Sequence, residues 1–517
     1  MKSKLKTIPE SPELLNNKVI AQQQEIVLQQ AEIARQKEII EQLQEFIRLG
    51  KHKQFGASSE KHTDQLNLFD EAELAVSAED NTSTEETEIT VPAHTRKKSG
   101  RKPLPEHLPR VRIIHDLAED DKFCDCCGSK ELHTIGEETA EQLDIIPAKA
   151  QVLVHVRPKY GCRNCEGSIK VAPVPKHPIP KSIASPGLLA HIITSKYQDA
   201  LPLYRQETTL KRAGIEIPRS TLANWMVRSG ELVQPIINLL RDKLLEAPLL
   251  HCDETPVQVL KEPDKRAQSK SYMWVQVAGI ATGTPIRLFD YEPSRSSEVP
   301  LRLLEGFKGY LQTDGYAGYN KIAKKSGITS QGCWVHARRK FDETIKAQGK
   351  QSKTGKAQIA LNHIGRLYRI EREIKDLSTQ ERWEIRQQKS QPIIEDLRKW
   401  LDKAIINSLP KSLLGKALFY LNSQWDKLIV YLEDGRLRMD NNLAENAIRP
   451  FVIGRRNWLF SNSQAGARSS ANLYSLVETA RANKLEPYAY LRVLMEELPK
   501  FSSVEDLEEL LPWNIKI

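Results

Sequence analysis

No stretch of this 517-residue sequence comes near the ~20 consecutive apolar residues that cross a bilayer. The opening residues, MKSKLKTIPESPELL, hold no apolar core of an export signal, so the chain is expected to stay in the cytoplasm. Cysteine is scarce and clustered. Five of the seven fall between Cys124 and Cys165, and the others are Cys252 and Cys333. In a cytoplasmic chain that clustering reads as metal ligands before disulfides. No internal repeat occurs. Neither sign of charge is missing: 76 Lys and Arg stand against 67 Asp and Glu, a net +9. The excess suits a polyanionic partner and equally a solvated surface. A single core does not reach this length, which predicts roughly three or four domains.

What is present changes along the chain. Over residues 14–48, Val19, Ile26, Ile33, Ile40 and Ile47 recur every seven residues, the spacing of a coiled-coil seam. Gln22, Gln29 and Gln36 precede Leu43 at the other seam position, so the expected zipper is weak; the alternative is one amphipathic helix packed on another domain. Residues 49–119 read as a linker, first acidic and then basic. In its basic arm, Arg96, Lys97, Lys98, Arg101 and Lys102 are candidates for following a phosphate backbone, or are simply solvated.

Residues 120–170 form a cysteine module. Cys124 with Cys127, and Cys162 with Cys165, make two CxxC pairs able to close a tetrahedral structural Zn²⁺ site. Cys126 competes with Cys127 for that role. Unligated cysteines are the alternative, and would leave a core-poor segment without a staple. Residues 183–246 read as helical. Leu203, Gln206 and Leu210 share one face, Gly214 allows a turn, and Ser220 is expected to cap a second helix. Arg219, Ser220, Thr221 and Asn224 are then the side chains a helix-turn-helix would offer to a major groove. Leu222 and Trp225 are expected to face the core. An ordinary helical hairpin fits the same pattern.

Residues 247–345 are β-rich, with LLHCDETPVQVL, SYMWVQVAGI, PIRLFDYE, FKGYLQTDGY and GCWVHARRKF as the segments. Residues 356–432 return to helical spacing, with Ile364, Leu367, Ile374 and Leu377 on one face. Three carboxylates stand out. Asp253 lies in the first apolar segment, where alternation sends Glu254 to the opposite face. Asp314 ends a short strand before a glycine turn. Glu445 lies on an expected helix, with Asp440, Asn441 and Asn442 as possible caps. Two strand carboxylates and one from a helix can hold two Mg²⁺ (or Mn²⁺) ions for phosphodiester chemistry. Each taken alone is as easily a cap or a surface residue.

The ordered pieces FGASSEK, GRKPLPEHLPR, CDCCG with KYGCRNC, LPLYRQE, CDETPVQV, TDGYAGYN, CWVHARRKF, DNNLAENAIRPFVIGRRNW and LYSLVETARANKLEPYAYL run from residue 55 to 491. In that order they resemble the insertion-sequence-sixty-six family of bacterial transposases, of the Asp-Asp-Glu superfamily. The departure is CDCC, whose extra cysteine leaves the zinc ligand set open.

The resemblance implies a multidomain α+β chain with an RNase H-like, retroviral-integrase-like core. That core would span residues 247–355 and 433–483, interrupted by a helical insertion at 356–432 and followed by a helical tail at 484–517. It implies a catalytic triad of Asp253, Asp314 and Glu445, spaced 61 and 131 positions apart. It also implies double-stranded DNA partners (terminal inverted repeats and target), a homo-oligomer, and accessory proteins of the same element. Arg449, Arg455 and Arg456 flank the glutamate and are expected at a phosphate. Arg338, Arg339 and Lys340 are further candidates. Cys333 and His336 form a CxxH pair that either orders the site or is a buried thiol with a bonded imidazole. A metal-dependent nuclease on structured DNA and a non-catalytic zinc and helix-turn-helix regulator are the rival readings.

Overall fold

The computed structural model describes residues 12–55, 150–157, 159–161, 169–171, 173–279, 283–348, 355–501 and 503–516. The chain divides into two units, Met1–Ser58 with Ala172–Ile517, and Ser59–Val171. In the smaller unit, β1 (Lys159–Gly161) pairs antiparallel with β2 (Ile169–Val171). Cys162 and Cys165 fall between these strands in sequence. They lie outside the described residues, as do Cys124, Cys126 and Cys127 and the basic arm with Arg96, Lys97, Lys98, Arg101 and Lys102.

In the larger unit, α1 (Pro12–Phe55) is one continuous helix. Its seam residues Val19, Ile26, Ile33, Ile40 and Ile47 are exposed along its length. Among the described residues its C-terminal part is engaged: Leu49 is buried with Ala347 and Leu413, and Lys416 lies over the Phe46 ring.

Four helices follow, α2 (Pro186–Tyr197), α3 (Leu203–Arg212), α4 (Arg219–Leu232) and α5 (Gln234–Leu245). Leu222 and Trp225 are buried as the pattern predicts. Ser220 does not cap α4. The helix begins two residues earlier, after Pro218, and the Glu207 carboxylate accepts the Arg219 backbone N–H at 3.0 Å. A carboxylate from α3 thus replaces the local serine at that helix start.

The sheet comprises β3 (Leu249–Lys261), β4 (Lys270–Ala278), β5 (Ile286–Glu292), β6 (Gly309–Gln312) and β7 (Ile328–Gln331), in the order β5-β4-β3-β6-β7. The pairs β3–β4 and β4–β5 are antiparallel, and β3–β6 and β6–β7 are parallel. The short α6 (Glu298–Leu303) links β5 to β6.

The segment GCWVHARRKF is not a strand. It opens α7 (Trp334–Gln348), whose start is fixed when the Cys333 sulfur accepts the His336 backbone N–H. Its charged residues at helical spacing keep it off the sheet.

The insertion consists of α8 (Lys356–Glu373), α9 (Thr379–Ile385), α10 (Gln391–Ile406), α11 (Leu413–Ser423) and α12 (Trp425–Ile429). Ile364, Leu367 and Ile374 are buried, but Leu377 is exposed. The helix has ended by then, and Ser378 and Glu381 form a capping box that restarts the chain as α9. Then come α13 (Asn442–Trp458), β8 (Ser461–Ser463), which pairs with the far end of β3, α14 (Gln464–Ala482), α15 (Pro487–Glu497) and α16 (Val504–Glu508). One core unites α2–α5, the sheet and α13–α15, while the insertion builds a second with Trp334 and Phe341.

The insertion is tied to the chain before α13 by Arg386, whose side chain is fully buried. It sits in a π-type turn, Arg386–Ser390. Its guanidinium donates to both Glu371 carboxylate oxygens at 2.8 and 2.7 Å, and to the carbonyls of Tyr431, Asp434 and Leu437 at 2.8 Å each. That satisfies all of its donors, the condition under which a buried charge is tolerable. Arg386→Met is expected to destabilise the protein by about 3–5 kcal/mol, because the Glu371 charge stays buried without its partner. Arg386→Lys would recover only part of this, since an ammonium cannot reach all five acceptors. Chemical denaturation measures it, and an unchanged midpoint for Arg386→Met would contradict the assignment.

Candidate functional site

The carboxylates are positioned by the sheet and by one strap of backbone. On β3, His251 pairs with Gln312 of β6. Asp253 and Asp314 each lie two residues beyond that pair, so parallel neighbours bring them side by side. Past the strand end, Asp314 is fixed by its own turn: its Oδ1 accepts the Tyr316 N–H at 2.9 Å, and Tyr420 Oη donates to its carbonyl at 3.0 Å. Gly315 between them has φ +83°, and a Cβ there would stand 2.9 Å from Tyr420 Oη, so glycine is needed on both counts.

Glu445 comes from α13, which is docked by Asn441 just before it. Asn441 Nδ2 donates to the Cys252 carbonyl at 2.9 Å. That orients its Oδ1 toward His251 Nδ1 at 3.3 Å, so His251 carries its proton on Nδ1. Burial pulls the His251 imidazole down to about 4 and keeps it neutral. The Asn441 N–H reaches the Cys333 sulfur at 3.3 Å. Asn441 therefore does not cap α13 with its side chain; Asp440 instead accepts the Asn442 N–H at 3.3 Å.

The three carboxylates share one electrostatic environment. Asp253 is pushed up to about 8, by burial first, then by the charges of Glu254 and Asp314, with Glu445 adding to them. Its Oδ1 accepts the neighbouring Glu254 N–H at 2.8 Å. Glu254 itself is occupied elsewhere. Its carboxylate takes Arg295 Nε at 2.7 Å and Tyr319 Oη at 2.7 Å, and Arg295 stacks 3.6 Å from the Tyr316 ring centroid.

The donor set fits a divalent cation. Glu445 Oε1 and His336 Nδ1 are both buried without a hydrogen-bond partner and lie 3.9 Å apart. Cys333, His336 and Glu445 offer ligand atoms within 4.8 Å of one another. Burial pushes the Cys333 thiol up to about 12, so it stays protonated and serves as an acceptor of N–H groups rather than as a thiolate. That leaves the Glu445 oxygen and the His336 nitrogen as the donors of this group; among the described residues, Asp253 and Asp314 are not part of it.

The cationic candidates separate into groups. Arg455 donates to Thr255 Oγ1 at 3.2 Å, two residues past Asp253, while Arg449 and Arg456 are exposed on the same helix as Glu445. Arg339 and Lys340 line a cavity of about 350 Å³ with Asp314, His336, Tyr316 and Arg295. Arg219, Ser220 and Asn224 are exposed and Thr221 is half-buried. They sit at the free end of α4, whose other end is locked to α14. There a Cβ on Gly230 would stand 2.4 Å from Ser469 Cβ, and Asn472 Nδ2 donates to the Gly230 carbonyl at 2.9 Å. Sequence reasoning passed over Arg295, Tyr420 and the role of Asn441. The asparagine lay inside a recognisable motif; Arg295 and Tyr420 carried no local signal.

Among the described residues no helix is long and apolar enough to cross a membrane. Residues 181–469 match the family described as Transposase IS66 family. Residues 121–166 match the zinc-finger binding domain of transposase IS66, residues 42–113 match Transposase C of IS166 homeodomain, and residues 475–513 match the IS66 C-terminal element. The chain is 34% identical over 472 residues to the uncharacterized protein y4hP of Sinorhizobium fredii (strain NBRC 101917 / NGR234), covering 88% of this chain and 84% of that protein. It is 31% identical over 491 residues to y4qI of the same organism, also uncharacterized, covering 92% and 89%. The chain belongs to the IS66 family of transposases and carries that family's zinc-binding and leucine-zipper modules.

Proposed function

We propose that this transposase binds the terminal inverted repeats of its element, cleaves the DNA there and joins the freed 3′-hydroxyl to target DNA. One arrangement carries the reading: Asp314 and Glu445, far from Asp253 in sequence, lie near enough to raise its carboxyl, and Glu445 keeps a buried oxygen without a hydrogen-bond partner. The strand order, three antiparallel strands followed by two parallel ones, supports an RNase H-like core with Asp253 inside its first strand and Asp314 past its fourth. In this reading Asp253, Asp314 and Glu445 hold two Mg²⁺ or Mn²⁺ ions. Bound there, such ions activate water or a 3′-hydroxyl and stabilise the leaving oxygen.

The chain's own groups do the positioning. Asp253 presents its oxygens from within β3 and Asp314 from just past the end of β6, and Asn441 sets the angle of the helix bearing Glu445. Arg449, Arg455 and Arg456 bind the phosphates around the scissile bond. Arg219, Ser220, Thr221 and Asn224 enter a major groove. Arg96, Lys97, Lys98, Arg101 and Lys102 follow the backbone. Cys124, Cys127, Cys162 and Cys165 hold a structural Zn²⁺, with Cys126 as the alternative to Cys127. The unpartnered seam of α1 supports a coiled-coil homo-oligomer that brings two element ends together. The domain plan drawn from the sequence is part of the same proposal.

Purified protein with Mg²⁺ and labelled inverted-repeat duplex is expected to nick at the repeat boundary and to join strands. Asp253→Asn and Glu445→Gln should bind the duplex as the wild type does while losing at least roughly 10³-fold in rate, on the scale of ~4 kcal/mol of barrier. Equal cleavage by either variant would remove that residue from the site. Chelation of divalent metal should abolish both steps and leave repeat binding intact; metal-independent nicking would contradict the reading.

Asp253 also predicts a pH signature in metal-free protein. Its folded value of about 8 lies above the ordinary 3.8, so the folded state holds this proton more tightly than the unfolded one. Its ionisation therefore reduces stability as pH rises between those values. Asp253→Asn should match the wild type in Tm near pH 4 and exceed it by roughly 2 °C or more at pH 8.5. A difference that shrinks with rising pH would contradict the assignment.

A further inference from the structure

A second cavity, of about 260 Å³, opens where the helical insertion meets the sheet. Arg382 and Thr379 reach it from α9, Arg436 and Arg438 from the segment before α13, and His251 and Leu443 from β3 and α13. Among the described residues its lining holds three arginines and no carboxylate. Arg436 is paired with Asp434 at 2.6 Å. Arg438 is exposed, yet its backbone is pinned, because its carbonyl accepts from Gln312 Nε2 at 2.9 Å and also from Gln331 Nε2. Its side chain thus projects from a fixed point. The Arg382 Nε is buried without a hydrogen-bond partner. The carboxylate near it, Glu371 at 3.8 Å, is already engaged by Arg386 at 2.7 Å. Burial, followed by the charges of Arg386 and Arg438, weakens the Arg382 guanidinium's hold on its proton. Like charges collected around a hole, with a donor left over, call for an anion.

The cavity adjoins the carboxylate site. His251 precedes Asp253 by two residues on the same face of β3, about 7 Å along the strand.

We propose that this cavity holds one backbone phosphate of the DNA on which the carboxylates act, and so clamps the insertion to the sheet when DNA is bound. Planar guanidinium groups match the paired oxygens of a phosphodiester. The inference rests on the proposed DNA-strand chemistry, and the test separates the two.

The full chain is titrated with labelled duplex from the element's end over a series of salt concentrations. Loss of one phosphate contact lowers the slope of log affinity against log salt by about 0.9. Arg438→Ala is expected to show that drop and to weaken binding roughly 3–10-fold at fixed salt. Arg438→Lys should keep most of the slope, because it keeps the charge. Inorganic phosphate, compared with chloride at equal ionic strength, should raise the wild-type Tm by about 1 °C or more and leave Arg438→Ala unmoved. Phosphate stabilisation with an unchanged DNA slope would mark a free-anion site and overturn the DNA assignment. Unchanged slopes in folded Arg438→Ala and Arg382→Gln, without a phosphate effect, would overturn the inference outright. A wild type that binds no duplex would instead withdraw the reading beneath it, and the inference with it.

Discussion

The backbone from Leu437 to Asn441 is the constraint on which the site depends. Four of its polar groups are met by a side chain or backbone group from elsewhere. The Leu437 carbonyl takes Arg386, the Arg438 carbonyl takes Gln312 and Gln331, the Met439 carbonyl takes the Trp334 N–H, and the Asn441 N–H reaches Cys333. A buried polar group left without its partner costs about 1–3 kcal/mol, so no single group can slip cheaply. The strap joins the insertion, strands β6 and β7, helix α7 and strand β3 before delivering α13. Glu445 lies one helical turn past Asn441, and its placement follows from that anchoring.

Electrostatics oppose this order. Asp253 shares its surroundings with Glu254, Asp314 and Glu445, and burial strips away the water that would screen them. The fold tolerates the arrangement because Glu254 is paired with Arg295 and accepts the Tyr319 hydroxyl. Without that pairing, two adjacent carboxylates on one strand would both be uncompensated. Glu254 still acts on Asp253 through its charge, and Asp314 and Glu445 add to it. The same logic marks the arginine-lined cavity, where the surplus has the opposite sign.

Much of this was legible in the sequence, because the signals were local. Alternation along LLHCDETPVQVL separates Asp253 from Glu254, and the glycine after Asp314 announces a turn. The residues Leu222 and Trp225 fall on the inward face of α4 by helical spacing alone. What was not legible arises from contacts between distant segments. Ser220 is displaced as a cap by Glu207 of another helix, and Leu377 is exposed because the chain restarts at Ser378. GCWVHARRKF looks like a strand until Cys333 is seen to accept the His336 N–H. Asn441 reads as a cap from its position, yet its amide is engaged by Cys252 and His251, nearly two hundred residues away. Arg295, Arg382 and Arg438 carry no local mark at all.

The central claim is that three carboxylates from β3, the end of β6 and α13 meet around divalent metal. Replacing Mg²⁺ with Fe²⁺ under ascorbate and peroxide generates radicals at the bound ion, which cut the nearby backbone. The account predicts cuts clustered near residues 253, 314 and 445, suppressed by excess Mg²⁺ and lost in Asp253→Asn. Cuts absent from those three segments, or unchanged by Mg²⁺, would contradict it.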